Sequence, residues 1–90
     1  MRLDLFLKLS RLCPRRSVAQ KLCDAGFVLL NGRPAKSAHS VNVNDEIMVR
    51  HRDRETIVRV VIVPENRNVS RRDANSLTEM ISERELPDEI

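Results

Sequence analysis

Ninety residues and 10.4 kDa, 41% hydrophobic and 32% charged, describe one small globular domain, which buries only about 60–65% of its unfolded surface and leaves no material for a second core or a deeply walled catalytic pocket. No apolar run is long enough to span a bilayer or act as a secretory leader, and Cys13 and Cys23 are too few for a disulfide framework, so the chain is expected in the reducing cytoplasm, away from membranes. The net charge of +3 is unevenly spread, with +6 over residues 1–36, balance over 37–64 and −3 over 65–90, a basic front that points to a polyanionic partner.

Leu3 to Leu12 has helical spacing: Leu3, Phe6 and Leu7 share one side while Leu5, Leu9 and Leu12 widen the arc, so the first helix is expected between two layers. Its polar strip carries Asp4, Lys8 and Arg11, with Asp4 four residues before Lys8 in the order that favours an ion pair. Pro14 stops it, because proline lacks an N–H and disfavours helical geometry at Cys13. A second helix is predicted from Ser17, whose spacing to Gln20 fits a capping box, to a left-handed cap at Gly26. Val18, Ala19, Leu22, Cys23 and Ala25 form its apolar side.

Strand signals follow. Phe27-Val28-Leu29-Leu30 before Asn31-Gly32 predicts a strand entering a tight hairpin turn, with Arg33 to Lys36 returning. Val41, Val43, Ile47 and Val49 are spaced for strands interrupted at Asn44-Asp45, residues 51–56 read as a polar connection, and Ile57 to Val63 is a strand ended by Pro64. Further on, Ala74, Leu77, Met80 and Ile81 fall on one side of a helix expected over Ala74 to Glu85. The predicted architecture is α+β: two N-terminal helices packed on a small, mostly antiparallel sheet, a domain over residues 1–64, then an acidic tail over 65–90 with a short helix.

The chemistry-bearing constellation is cationic. Arg2, Lys8, Arg11, Arg15, Arg16 and Lys21 come from two consecutive helices and their link, with Arg33 and Lys36 flanking. Arginine forks suit phosphate, and Arg15 and Arg16 stand at a helix start, where backbone N–H groups also favour anions. Phe6 and Phe27 are the only aromatics, which points to phosphate and shape recognition rather than base stacking. Cys13, Cys23, His39 and His51 match no zinc spacing, and Gly26 and Gly32 make no phosphate-cradling loop, so no metal, cofactor or catalytic residue is expected.

Four motifs in order, Met1-Arg2-Leu3-Asp4-x-Phe6-Leu7-x-x-x-Arg11, Arg15-Arg16-Ser17-x-Ala19, Ala25-Gly26-x-Val28-x-x-Asn31-Gly32-x-x-Ala35-Lys36 and Val41-x-Val43-x-Asp45-Glu46-Ile47, resemble the RNA-binding domain of ribosomal small-subunit protein four, the S-four (S4) domain. The resemblance implies two helices on a small sheet, docking on structured RNA. Without room for an attached enzyme domain, the chain is most similar to the ribosome-associated quality control protein P (RqcP) family. That likeness implies a monomer binding 23S rRNA of the large ribosomal subunit and peptidyl-tRNA, through Arg2 and Arg16 among others, and supporting alanine tailing of stalled nascent chains, with a nascent-chain-tailing factor as a further partner. The alternatives are a heat-shock-type factor recycling stalled large subunits, which carries a longer basic extension, and a protein-interaction adaptor acting through the C-terminal helix. Leu5 stands where many S-four domains have a basic residue, and Asn44 replaces a common glycine.

Overall fold

A computed structural model describes residues 1–65 and 69–86, ordered as α1 (Leu3–Leu9), α2 (Arg16–Asp24), β1 (Val28–Leu30), β2 (Arg33–Pro34), β3 (Glu46–His51), β4 (Arg54–Val60), α3 (Arg71–Ala74) and β5 (Thr78–Glu85). The strands form one antiparallel sheet in the order β2-β1-β3-β4-β5. One face of it meets the two helices. Leu3, Phe6 and Leu7 of α1 are fully buried there with Val28, Ile47, Val58 and Val60, the inward residues of β1, β3 and β4. Period-two alternation selects those positions, and it sends Glu46 and Arg50 of β3 outward. The predicted α+β architecture is therefore present. No helix among the described residues is long and apolar enough to cross a membrane.

The turn chemistry follows the sequence. Asn31 (φ 53°) and Gly32 (φ 84°) both take the positive φ that a two-residue hairpin turn requires, and Asn44 (φ 75°) and Gly26 (φ 80°) do so at their own turns. Three boundaries differ from expectation. Helix α1 ends at Leu9, because Arg11 turns left-handed (φ 67°) and its N–H reaches the Lys8 carbonyl, closing the helix before Pro14 is needed. Helix α2 begins at Arg16 with Arg15 at its cap, and no side chain caps it. The Ser17–Gln20 box does not form, because the Gln20 amide is engaged by Asp4. The polar connection shrinks to Arg52-Asp53, since Arg54, Glu55 and Thr56 pair with His51, Arg50 and Val49 as the start of β4.

The C-terminal helix over Ala74 to Glu85 does not form. Only Arg71–Ala74 is helical, with the Ser70 hydroxyl accepting the Asp73 N–H, and Thr78–Glu85 runs as β5 along the whole of β4, from Arg54↔Glu85 to Val60↔Thr78. A strand there occupies the edge of β4 that a helix would leave unpaired. It also sets Glu79 and Glu83 beside Arg59 and Arg54, at 2.6 Å and 2.7 Å. Ala74 and Leu77 join the buried residues, while Met80 and Ile81 stay about half exposed.

Candidate nucleic-acid interface

The centre of the helical side is a carboxylate. Asp4 lies in the first turn of α1, yet it is fully buried. The loop after β2 covers that helix start, the Ser37 and His39 carbonyls accepting the N–H groups of Asp4 and Leu3. Asp4 accepts the Leu5 N–H at 2.7 Å, Arg2 Nε and Nη2 at 3.2 Å each, and Gln20 Nε2 at 2.9 Å. Arg16 Nε approaches Oδ2 at 3.3 Å, as an ion pair rather than an aligned hydrogen bond. Burial alone would raise the Asp4 pKa, but the donors Gln20, Arg16, Leu5 N–H and Arg2 together outweigh it and hold the carboxyl below its ordinary value. The expected Asp4–Lys8 pair is thus replaced, because better donors arrive from the cap residue of α1 and from α2.

The remaining cations of the basic front are exposed. Lys8, Arg11, Arg15, Lys21, Arg33 and Lys36 form no ion pair among the described residues. Lys8 and Arg11 come together on the wall of a cleft of about 740 Å³, opposite Val69, Ser70 and Asp73. Arg15 caps α2 and Lys21 sits in its last turn, whereas Arg33 lies on β2 and Lys36 just after it, away from that cleft. Leu5 is partly buried and packs against the core.

The arginines of β3, β4 and β5 are in the opposite condition. Glu55 accepts Arg50 Nε at 3.0 Å and Arg84 Nε at 3.2 Å, Arg54 meets Glu83, and Arg59 meets Glu79. Hydrogen bonds from Arg84 and Arg50 lower the Glu55 pKa. The acidic residues of β5 and β4 therefore neutralise Arg50, Arg54, Arg59 and Arg84, and among the described residues the exposed arginines and lysines without an ion pair are those of the helices, their link and the first hairpin, together with Arg52 in the β3–β4 turn. Cys13 and Cys23 are buried free thiols, and desolvation pushes each up to about 11, which disfavours the thiolate at neutral pH.

Sequence reasoning missed Asp4 and Gln20 as parts of this site. A signal for Asp4 existed: it is one of two acids in a segment of net charge +6.

The S4 domain model matches residues 1–47. The RQC P-site tRNA stabilizing factor of Streptococcus pneumoniae is 34% identical over 90 residues, covering 100% of each chain, and that of Helicobacter pylori is 33% identical over 75 residues, 83% of this chain and 89% of the other. Among solved structures, trimeric heat shock protein 15 of Vibrio cholerae superposes with a TM-score of 0.82 at 27% identity, covering 91% of this chain and 82% of that one. The solution structure of the hypothetical protein HP1423 gives 0.78 at 30% identity, over 91% and 98%.

Proposed function

This chain belongs to the S4 domain family and to the family of RQC P-site tRNA stabilizing factors, and from that premise we propose that it is a non-catalytic RNA-binding protein of ribosome-associated quality control that steadies peptidyl-tRNA on the large ribosomal subunit while contacting 23S rRNA. The observation that carries the reading is the division of charge: six exposed cations of the helices, their link and the first hairpin lack an acidic partner among the described residues, whereas Arg50, Arg54, Arg59 and Arg84 on β3, β4 and β5 are each paired.

The mechanism is positional. Arg15 and Arg16 grip phosphates at the start of α2, Arg2, Lys8 and Arg11 extend the contact along α1, and Lys21, Arg33 and Lys36 flank it. The chain breaks no bond; alanine tailing of the blocked nascent chain, by a separate factor, proceeds on a tRNA held in place. Neutralising about five phosphates gives a slope of log K against log salt of roughly −3.5 to −4.5. Titration of the protein against purified large subunits carrying P-site tRNA, at several salt concentrations, measures this, and a flat response rules out phosphate gripping. The likeness to heat shock protein 15 favours a second reading, recycling of stalled large subunits; equal affinity for subunits with and without tRNA selects it.

Arg11 offers a separate check. At φ 67° a side-chain-bearing residue costs roughly 1–2 kcal/mol relative to glycine, partly offset by the freedom glycine has in the unfolded chain. Arg11→Gly is expected to leave the unfolding midpoint unchanged or raised by up to about 1 kcal/mol of stability, while weakening subunit binding. Thermal melts and titrations of one preparation read both. A fall in stability shows that no strain is relieved there, and undiminished affinity removes Arg11 from the interface.

A further inference from the structure

A fully buried carboxylate in the most basic part of an RNA-binding surface demands a physical reason. Burying it is costly unless donors surround it, and its negative charge opposes phosphate at any distance that salt does not screen. Asp4 has its donors, and their geometry is specific. Arg2 meets it edge-on through Nε and Nη2, and Arg16 through Nε, with Oδ2 shared between Arg2 Nη2 at 3.2 Å and Arg16 Nε at 3.3 Å. Those contacts use one edge of each guanidinium. The side chains remain 49% and 35% exposed, so part of each stays open to solvent. Gln20, one turn after Arg16 on α2, holds the same oxygen at 2.9 Å and ties the helix to the carboxylate.

We propose that Asp4 is a positioning residue for RNA: it holds the guanidiniums of Arg2 and Arg16 against one carboxylate, so that two long side chains from separate elements present their free N–H groups to phosphate already ordered. Arginine is among the side chains with most rotamer freedom to lose on binding, and a fork fixed beforehand loses less. This rests on the RNA-binding reading above and adds a role for an acidic residue within it.

Electrostatics alone and positioning give opposite signs for one substitution. Asp4→Asn keeps the shape of the side chain and an oxygen for the Leu5 N–H, but removes the charge that gathers both arginines. If Asp4 acts only as a negative charge near RNA, the variant binds purified large subunits more tightly; if it positions the arginines, affinity falls, by about 5- to 10-fold, a loss typical of coupling between neighbouring groups. The cycle with Arg16→Ala supplies the readout that a merely structural role does not move. Once Arg16 is alanine, Asp4→Asn should cause much less further loss, whereas an effect transmitted through the fold persists undiminished. Unchanged or tightened binding by Asp4→Asn, or full additivity with Arg16→Ala, overturns the proposal. Should Asp4→Asn fail to fold, Arg16→Lys decides: it keeps the charge but not the guanidinium held beside Asp4 Oδ2 at 3.3 Å, and affinity equal to that of the parent overturns the proposal while a several-fold loss supports it. Undiminished binding by both Arg2→Ala and Arg16→Ala defeats the RNA-contact reading of these residues itself, an outcome distinct from weakened binding by those variants with Asp4→Asn unaffected.

Discussion

Deleting residues 70–90 is expected to abolish cooperative folding. The segment carries β5, which pairs along the whole of β4, and the Leu77 carbonyl that accepts the Val61 and Ile62 N–H groups. It also carries Ala74 and Leu77, 0% and 3% exposed. Truncating a buried leucine to alanine alone costs roughly 2–5 kcal/mol, against a total stability for a small domain of about 5–15 kcal/mol. Removing the whole strand adds the uncovered inner face beside Val58 and Val60 and the loss of the Arg54–Glu83, Arg59–Glu79 and Glu55–Arg84 contacts. It also exposes β4 as an open edge, a site for chain-to-chain pairing. Circular dichroism melts and size exclusion should show no cooperative transition and a shift to aggregates, while Leu77→Ala should melt cooperatively but be about 2–4 kcal/mol less stable. A truncated chain that melts cooperatively and still binds large subunits would show that β5 is dispensable to both fold and site.

The helices and the first hairpin were legible because their signals are local. Leu3, Phe6 and Leu7 recur at helical spacing, Gly26 ends a helix from its own left-handed geometry, and Asn31-Gly32 sets a turn without reference to the rest of the chain. Residues 74–85 were not legible for the converse reason. Ala74, Leu77, Met80 and Ile81 satisfy a helical face, Thr78 to Glu85 shows no period-two alternation, and the choice is made by the vacant edge of β4, whose partner residues lie 18 to 31 positions earlier. Asp4 shows the same limit in the site. Periodicity puts it on the polar strip of α1 facing Lys8; what engages it instead are Arg2, Arg16 and Gln20, two of which belong to the next helix. Charge by segment located the basic front correctly as a stretch of chain, but pairing across strands decides which arginines remain uncompensated.

That pairing makes the binding face separable from net charge, and the separation is large enough to measure. Lys8→Ala with Arg15→Ala and Arg54→Ala with Arg59→Ala each remove two positive charges, so attraction governed by total charge alone falls equally in both. The first pair has no ion-pair partner among the described residues, and on the proposed reading its loss removes two phosphate contacts. At about 0.7–0.9 of a log unit per tenfold salt for each contact, two contacts amount to roughly 15- to 30-fold in affinity near physiological salt, with the salt slope smaller in magnitude by about 1.4–1.8. The second pair sits on the sheet against Glu83 and Glu79. Its removal leaves those carboxylates uncompensated on the sheet, and with a Debye length of about 8 Å the effect on binding should stay within about twofold, with an unchanged slope. Both variants should keep their stability to within about 1 kcal/mol, the first because exposed unpaired side chains contribute little and the second because exposed ion pairs are weak. Equal losses in the two variants would mean that RNA is drawn by overall charge, and the helical face would no longer be the site.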